Sequence, residues 1–116
     1  MYDPEVAFRQ DRFQAEALRA FEERFRRRDW PGGRLPAVFY DPRSMDTGPK
    51  RSVLHAKCVV VDDRYAFVTS ANFTEAAQTR NIEAGVLLDD PPFAIALRGQ
   101  FESLATAGLL RRVPGL

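Results

Sequence analysis

The chain has 116 residues, 45% of them hydrophobic, enough for one compact domain with one core that it can only marginally bury. Lys and Arg total 17 against 16 Asp and Glu, so there is no strong global field for nucleic acid or anionic membrane, and any basic surface is local. The one cysteine, Cys58, excludes an internal disulfide framework and a cysteine zinc cluster, and no run of about 18 apolar residues is present to span a membrane.

The N-terminus carries charges where a signal peptide would place its apolar run, so a soluble, cytoplasmic protein is expected. It opens on a polar helical segment without a leading strand, as the C-terminal part of a longer protein or a truncated reading frame would. From Asp11 to Arg28, Phe13, Ala17, Leu18, Phe21 and Phe25 recur at helical spacing, which predicts an amphipathic covering helix. Arg24, Arg26, Arg27 and Arg28 complement the carbonyl end of its dipole, and a solvated face is favoured over a phosphate-binding patch. Trp30-Pro31-Gly32-Gly33 ends the helix, and Ala37-Val38-Phe39-Tyr40 reads as a short strand. Residues from Asp41 to Arg51 form a loop, either the rim of a substrate groove or a plain connection.

Val53 to Val61 reads as a buried strand, Asp62-Asp63-Arg64 as a tight turn, and Tyr65 to Thr69 as the neighbouring strand. A short helix capped by Thr74 is expected to Gln78, then a third strand from Ile82 to Leu88. Asp90 and Pro91 open a last helix with Phe93, Leu97, Phe101 and Leu104 as its buried stripe, up to Gly108. Alternating strands and helices predict an α/β fold, a mixed sheet flanked by helices, in a single domain over residues 1–116.

Residues two apart on a strand face the same way, so His55 and Lys57 project together while Leu54, Ala56 and Cys58 face the other side. A phosphodiester resists attack largely because it is anionic. A neutral imidazole beside an ammonium that neutralises a non-bridging oxygen is therefore a sensible nucleophilic pair. Thr69-Ser70-Ala71-Asn72 returns a hydroxyl and an amide toward the same end of the sheet, and both can donate to phosphate. One histidine and no close pair of facing carboxylates argue against metal-activated water, so no metal and no cofactor are expected. Cys58, Phe73 and Trp30 are read as packing residues and kept out of the site.

His55-Ala56-Lys57-Cys58-Val59-Val60-Val61-Asp62, followed after six residues by Thr69-Ser70-Ala71-Asn72, resembles the HxK(x)4D(x)6GSxN motif of the phospholipase D superfamily. The resemblance runs from about Leu54 to Leu88 and is specific, with five polar positions at fixed spacing. It implies a phospholipase D-like half-domain and a phosphodiesterase. In that family His55 would be the nucleophile forming a phosphohistidine, or the general acid that protonates the leaving oxygen, according to its half-site. Lys57, Ser70 and Asn72 would bind phosphate oxygens. Asp62 would support catalysis indirectly, and Glu83 would hydrogen-bond the other imidazole nitrogen. Two positions depart from the pattern: Thr69 stands where glycine commonly precedes Ser70, and Asp63 where turn glycine is frequent.

Among superfamily members, Asn81-Ile82-Glu83 and the runs around Lys57 and Ser70 look most like bacterial nuclease types, in particular the phospholipase D-like component of DISARM anti-phage systems. That implies a nuclease, with DNA the expected nucleic-acid substrate, in defence against foreign DNA. The phosphohistidine route needs two imidazoles on opposite sides of phosphorus, and this sequence has only His55. The expected partner is a second copy about a two-fold axis, or another chain or segment carrying a second motif. Two other readings stand beside the nuclease: a non-catalytic nucleic-acid-binding or assembly half, and a lipid phosphodiesterase or phosphatidyltransferase. No membrane-seeking stretch supports the last, so no membrane partner is expected.

Overall fold

The computed structural model describes residues 2–46, 48–49, 51–74 and 79–116. In chain order the elements are α1 (Pro4–Arg24), β1 (Phe39–Tyr40), β2 (Cys58–Val61), β3 (Tyr65–Thr69), β4 (Gly85–Asp89), α2 (Pro91–Thr106) and β5 (Arg111–Arg112), with a π-helical turn at Phe25–Asp29 and a 3-10 turn at Pro42–Met45. The α/β class stands as expected, with antiparallel pairing in both sheets. The chain divides into two compact units, Met1–Val53 with Leu109–Leu116, and Leu54–Gly108. The helix expected from Thr74 to Gln78 falls largely outside the described residues.

In the first unit, α1 begins well before the predicted Asp11. Asp3 caps it, its carboxylate accepting from the Glu5 N–H at 2.9 Å, and Pro4 takes the first helical position, where a missing N–H costs nothing. No residue of α1 is buried. Arg24, Arg26 and Arg27 pair with Asp29, Glu22 and Glu23, so the basic run at its end is largely neutralised, in line with a solvated face. Phe25 stacks between Phe21 and Trp30 at centroid distances of 5.7 and 5.8 Å, and Trp30 closes the π-helical turn. β1 is only two residues long and pairs with β5, a strand that the sequence reading does not foresee. Beside β1, Asp41 is 4% exposed and accepts from the Arg43 N–H at 2.9 Å and from its guanidinium at 2.8 and 3.0 Å.

The second unit is the sheet β2-β3-β4 with α2. β3 lies where the sequence places it. The β2–β3 hairpin turns through Asp62 and Asp63 at φ of 54° and 51°, closed by the Arg64 N–H donating to the Val61 carbonyl at 3.1 Å. Aspartate is among the few residues besides glycine that tolerate this left-handed region. Asp63 then takes Arg98 at 2.5 Å, and Arg64 makes a bidentate pair with Asp89 at 2.8 and 2.9 Å, tying the turn to α2 and β4.

Asp90 caps α2 by accepting from the Phe93 N–H at 3.1 Å, as expected. The inward stripe is Ala94, Leu97, Phe101 and Leu104, however. Phe93 lies one residue, about 100° of helix, off that stripe and is 40% exposed. Ala66 and Ala94 are fully buried where α2 packs on β2 and β3, so the covered sheet face carries Val60, Ala66 and Leu88. The other face carries Val59, Val61 and Leu87, all exposed.

Two predicted strands are shorter than expected. β2 starts at Cys58, not Val53, because its partner β3 ends at Thr69 and the last rung is the Thr69 N–H to the Lys57 carbonyl at 3.0 Å. β4 starts at Gly85, opposite Thr69, and Ile82 is fully exposed ahead of it. At Gly85 a Cβ would meet Thr69 Cβ at 2.9 Å, Thr69 Oγ1 at 3.0 Å and the Val68 carbonyl at 3.1 Å, two of them on a short, branched side chain that cannot swing away. Gly85→Ala is therefore expected to destabilise the fold by about 1–3 kcal/mol in urea unfolding. A variant as stable as the wild type would contradict the close packing at this rung.

The arginine pairs give stability a pH dependence. The hydrogen bond from Arg64 holds the Asp89 carboxyl below its ordinary value, and side-chain and backbone bonds from Arg43 do the same for Asp41. A carboxyl with a depressed folded pKa contributes fully above the unfolded value of about 3.9 and loses that contribution as pH falls through the folded value. Circular-dichroism melts between pH 7 and 2.5 are expected to show the loss below about pH 4, with Asp89→Asn showing a smaller acid-induced drop. An equal drop in the variant would remove Asp89 from the account.

Candidate functional site

Three segments that bear His55, Lys57, Ser70, Asn72 and Glu83 meet at one end of the β2-β3-β4 sheet. His55 and Lys57 precede β2, the Thr69 to Asn72 turn leaves β3, and Glu83 and Ala84 lead into β4. Two sets of backbone bonds hold these segments side by side. The Thr69 N–H donates to the Lys57 carbonyl at 3.0 Å, and the Ser70 N–H donates to the Ala84 carbonyl at 2.9 Å.

Lys57 Nζ lies 2.8 Å from His55 Nδ1 and 3.0 Å from Nε2. An ammonium has donors only, so it bonds whichever ring nitrogen carries the lone pair of a neutral imidazole. His55 is exposed and Lys57 half-buried, which leaves the ring open to an incoming group while the lysine stem is partly fixed. The predicted pairing of these two side chains is realised, although in an extended segment and not within a strand.

Ser70 and Glu83 form the second pair. The Ser70 hydroxyl donates to Glu83 Oε2 at 2.5 Å and accepts from the Ala84 N–H at 3.1 Å. Its one proton goes to the carboxylate, and its lone pairs take the Ala84 N–H. Glu83 meets Ser70 where an imidazole partner was expected. Both His55 nitrogens face Lys57 instead. Residues 82–84 run outside the sheet ladder, and the serine across from them is the hydroxyl that Glu83 reaches.

Asn72 is exposed two residues beyond Ser70, in a turn where its carbonyl accepts from the Thr74 N–H at 2.8 Å. Asp62 is not part of the cluster. It sits in the hairpin turn at the other end of β2, five residues and about 16 Å along the chain from Lys57. Of the residues set aside as packing, Cys58 is half-buried, Trp30 stacks on Phe25 in the first unit, and Phe73 is 63% exposed.

The sequence marks Thr69 only as a departure from glycine and does not single out Gly85. The Thr69 hydroxyl accepts from the Ala71 N–H at 3.0 Å and bonds the Ala84 carbonyl at 3.2 Å, while Gly85 leaves room for its side chain. The available signal was Thr69 itself, a departure from glycine, but its meaning depends on a cross-strand register that no local pattern provides.

A family model described as the PLD-like domain of cardiolipin synthase matches residues 34–105, a span that contains every candidate site residue. No curated protein and no solved structure matches the chain.

Proposed function

The chain belongs to the phospholipase D-like domain family, a phosphodiesterase-type membership, and on that basis we propose that it is half of a metal-independent nuclease completed by a second copy of itself. The observation that carries the reading is the Lys57 ammonium held 2.8 and 3.0 Å from the two nitrogens of a solvent-open imidazole. In the proposed reaction a ring nitrogen of His55 attacks phosphorus, and the bond from phosphorus to the leaving oxygen breaks. The second copy's imidazole gives that oxygen its proton, and water then cleaves the phosphohistidine. Lys57 leaves the ring to neutralise a non-bridging oxygen as negative charge builds there. Asn72, exposed on the neighbouring turn, adds a neutral donor. Ser70 acts on Glu83, not on phosphate, and Asp62 serves the hairpin. A place in defence against foreign DNA follows from the motif resemblance and belongs to this same proposal.

A second reading is favoured by the family description, which names cardiolipin synthase: transfer of a phosphatidyl group by the same two-histidine chemistry. Among the described residues no helix is long and apolar enough to cross a membrane.

One set of assays separates these readings. Wild type is mixed with His55→Ala at varied ratio, and cleavage of a labelled DNA oligonucleotide is followed in EDTA, beside turnover of phosphatidylglycerol vesicles. A shared two-histidine site predicts oligonucleotide cleavage that falls as the square of the wild-type fraction and survives the chelator. A linear fall would remove the shared site. Vesicle turnover without oligonucleotide cleavage would favour phosphatidyl transfer, and oligonucleotide binding without either activity would leave a binding module.

A further inference from the structure

One residue that departs from the family pattern ties together three parts of the site. Thr69 is the last residue of β3, and each of its polar groups reaches a different segment. Its backbone N–H holds the Lys57 carbonyl at 3.0 Å. Its hydroxyl bonds the Ala84 carbonyl at 3.2 Å and accepts from the Ala71 N–H at 3.0 Å. Its Cβ occupies the space that a side chain at Gly85 would need, at 2.9 Å from where that Cβ would stand. A hydroxyl has one proton and two lone pairs, so donation to Ala84 and acceptance from Ala71 are compatible and use it well.

We infer that Thr69 is a positioning residue, whose hydroxyl fixes the Ser70–Asn72 turn against the segment that carries Glu83 and leads into β4, and so presents Asn72 and Lys57 together to one anionic group. The hydroxyl is the feature that glycine would lack. With glycine at 69 the turn would rest on backbone bonds alone. With threonine it gains a side-chain bond at Ala71, one residue before Asn72, and the clearance that this side chain requires is supplied across the sheet by Gly85. The functional half of the inference rests on the phosphodiesterase reading, while the structural link stands on the contacts themselves.

The test compares Thr69→Val, nearly isosteric but without the hydroxyl, with Thr69→Ser, which keeps it, and with Thr69→Ala in case valine impairs folding. Two quantities are read in each folded variant: hydrogen exchange of the Ala71 amide by NMR, and affinity for inorganic tungstate as a phosphate probe. Losing one hydrogen bond of ordinary strength predicts Ala71 exchange and tungstate dissociation constants each rising about 3–10-fold in the valine and alanine variants. Serine should keep both within about twofold of wild type. The inference is overturned if tungstate affinity is unchanged in both valine and alanine variants, if serine fails to rescue, or if the wild type binds no tungstate. Failure of the wild type to cleave DNA while binding tungstate with this pattern would remove the nuclease reading and leave the role of Thr69 intact.

Discussion

His55→Ala is expected to lower phosphodiester cleavage by about 10³-fold or more, the largest effect of any single change in the chain, because in the proposed two-histidine mechanism it removes the nucleophile and, in a two-fold pair, the acid as well. The effect should be chemical and not structural. His55 is exposed and its ring's hydrogen bonds among the described residues are with Lys57, so thermal unfolding should move little. Initial rates on the labelled oligonucleotide, with melting curves on the same samples, check both halves. A variant that retains more than about a tenth of the wild-type rate would show that His55 is not the reacting group.

Lys57→Ala should cost about 10²–10³-fold in rate, the range found when a charge-stabilising donor is lost from a site where charge develops. The contact at the imidazole adds a second consequence. With no ammonium beside it, the ring is freed of a donor that must otherwise be displaced, so part of the lost rate is offset at the attack step. Lys57→Arg tests the geometry. A planar guanidinium cannot sit at 2.8 and 3.0 Å from both ring nitrogens as a point charge does, so charge alone should recover only part of the activity. Full recovery with arginine would reduce the role of Lys57 to a simple positive charge.

What the sequence made legible was local. β3 and the cap of α2 rest on signals within four or five residues, a short aromatic and β-branched run in one case and Asp90-Pro91 in the other, and both stand in the structure. The turn at Asp62 and Asp63 belongs with them, since aspartate suits a left-handed conformation. The pairing of β1 with β5 joins residues about 70 positions apart through two-residue strands, too short to show any alternation. Phe93 went to the wrong side of α2 because the large residue attracted the assignment, while Ala94 fits closely against the sheet.

The site divides the same way. His55 and Lys57 are two residues apart, and their proximity follows from the spacing alone. Ser70 and Glu83 are separated by 13 positions, and their contact depends on where β4 begins, which the hydrophobic run did not mark. Expecting a longer third strand placed Glu83 inside the sheet. In the structure it precedes the first rung at Gly85 and reaches the serine.

The hairpin at the far end of the sheet is also a ruler. Three residues, Asp62, Asp63 and Arg64, separate the paired Val61 and Tyr65, so Lys57 and Thr69 are equidistant from the turn and emerge on the same side of the sheet. A strand has a two-residue phase, and inserting or deleting one turn residue would carry Thr69 to the opposite side from Lys57 without altering either. The fixed interval between Asp62 and Ser70 is therefore a length standard. An aspartate remote from His55 and Lys57 can belong to the motif because the count of residues around it decides which side chains emerge on the same side of the sheet.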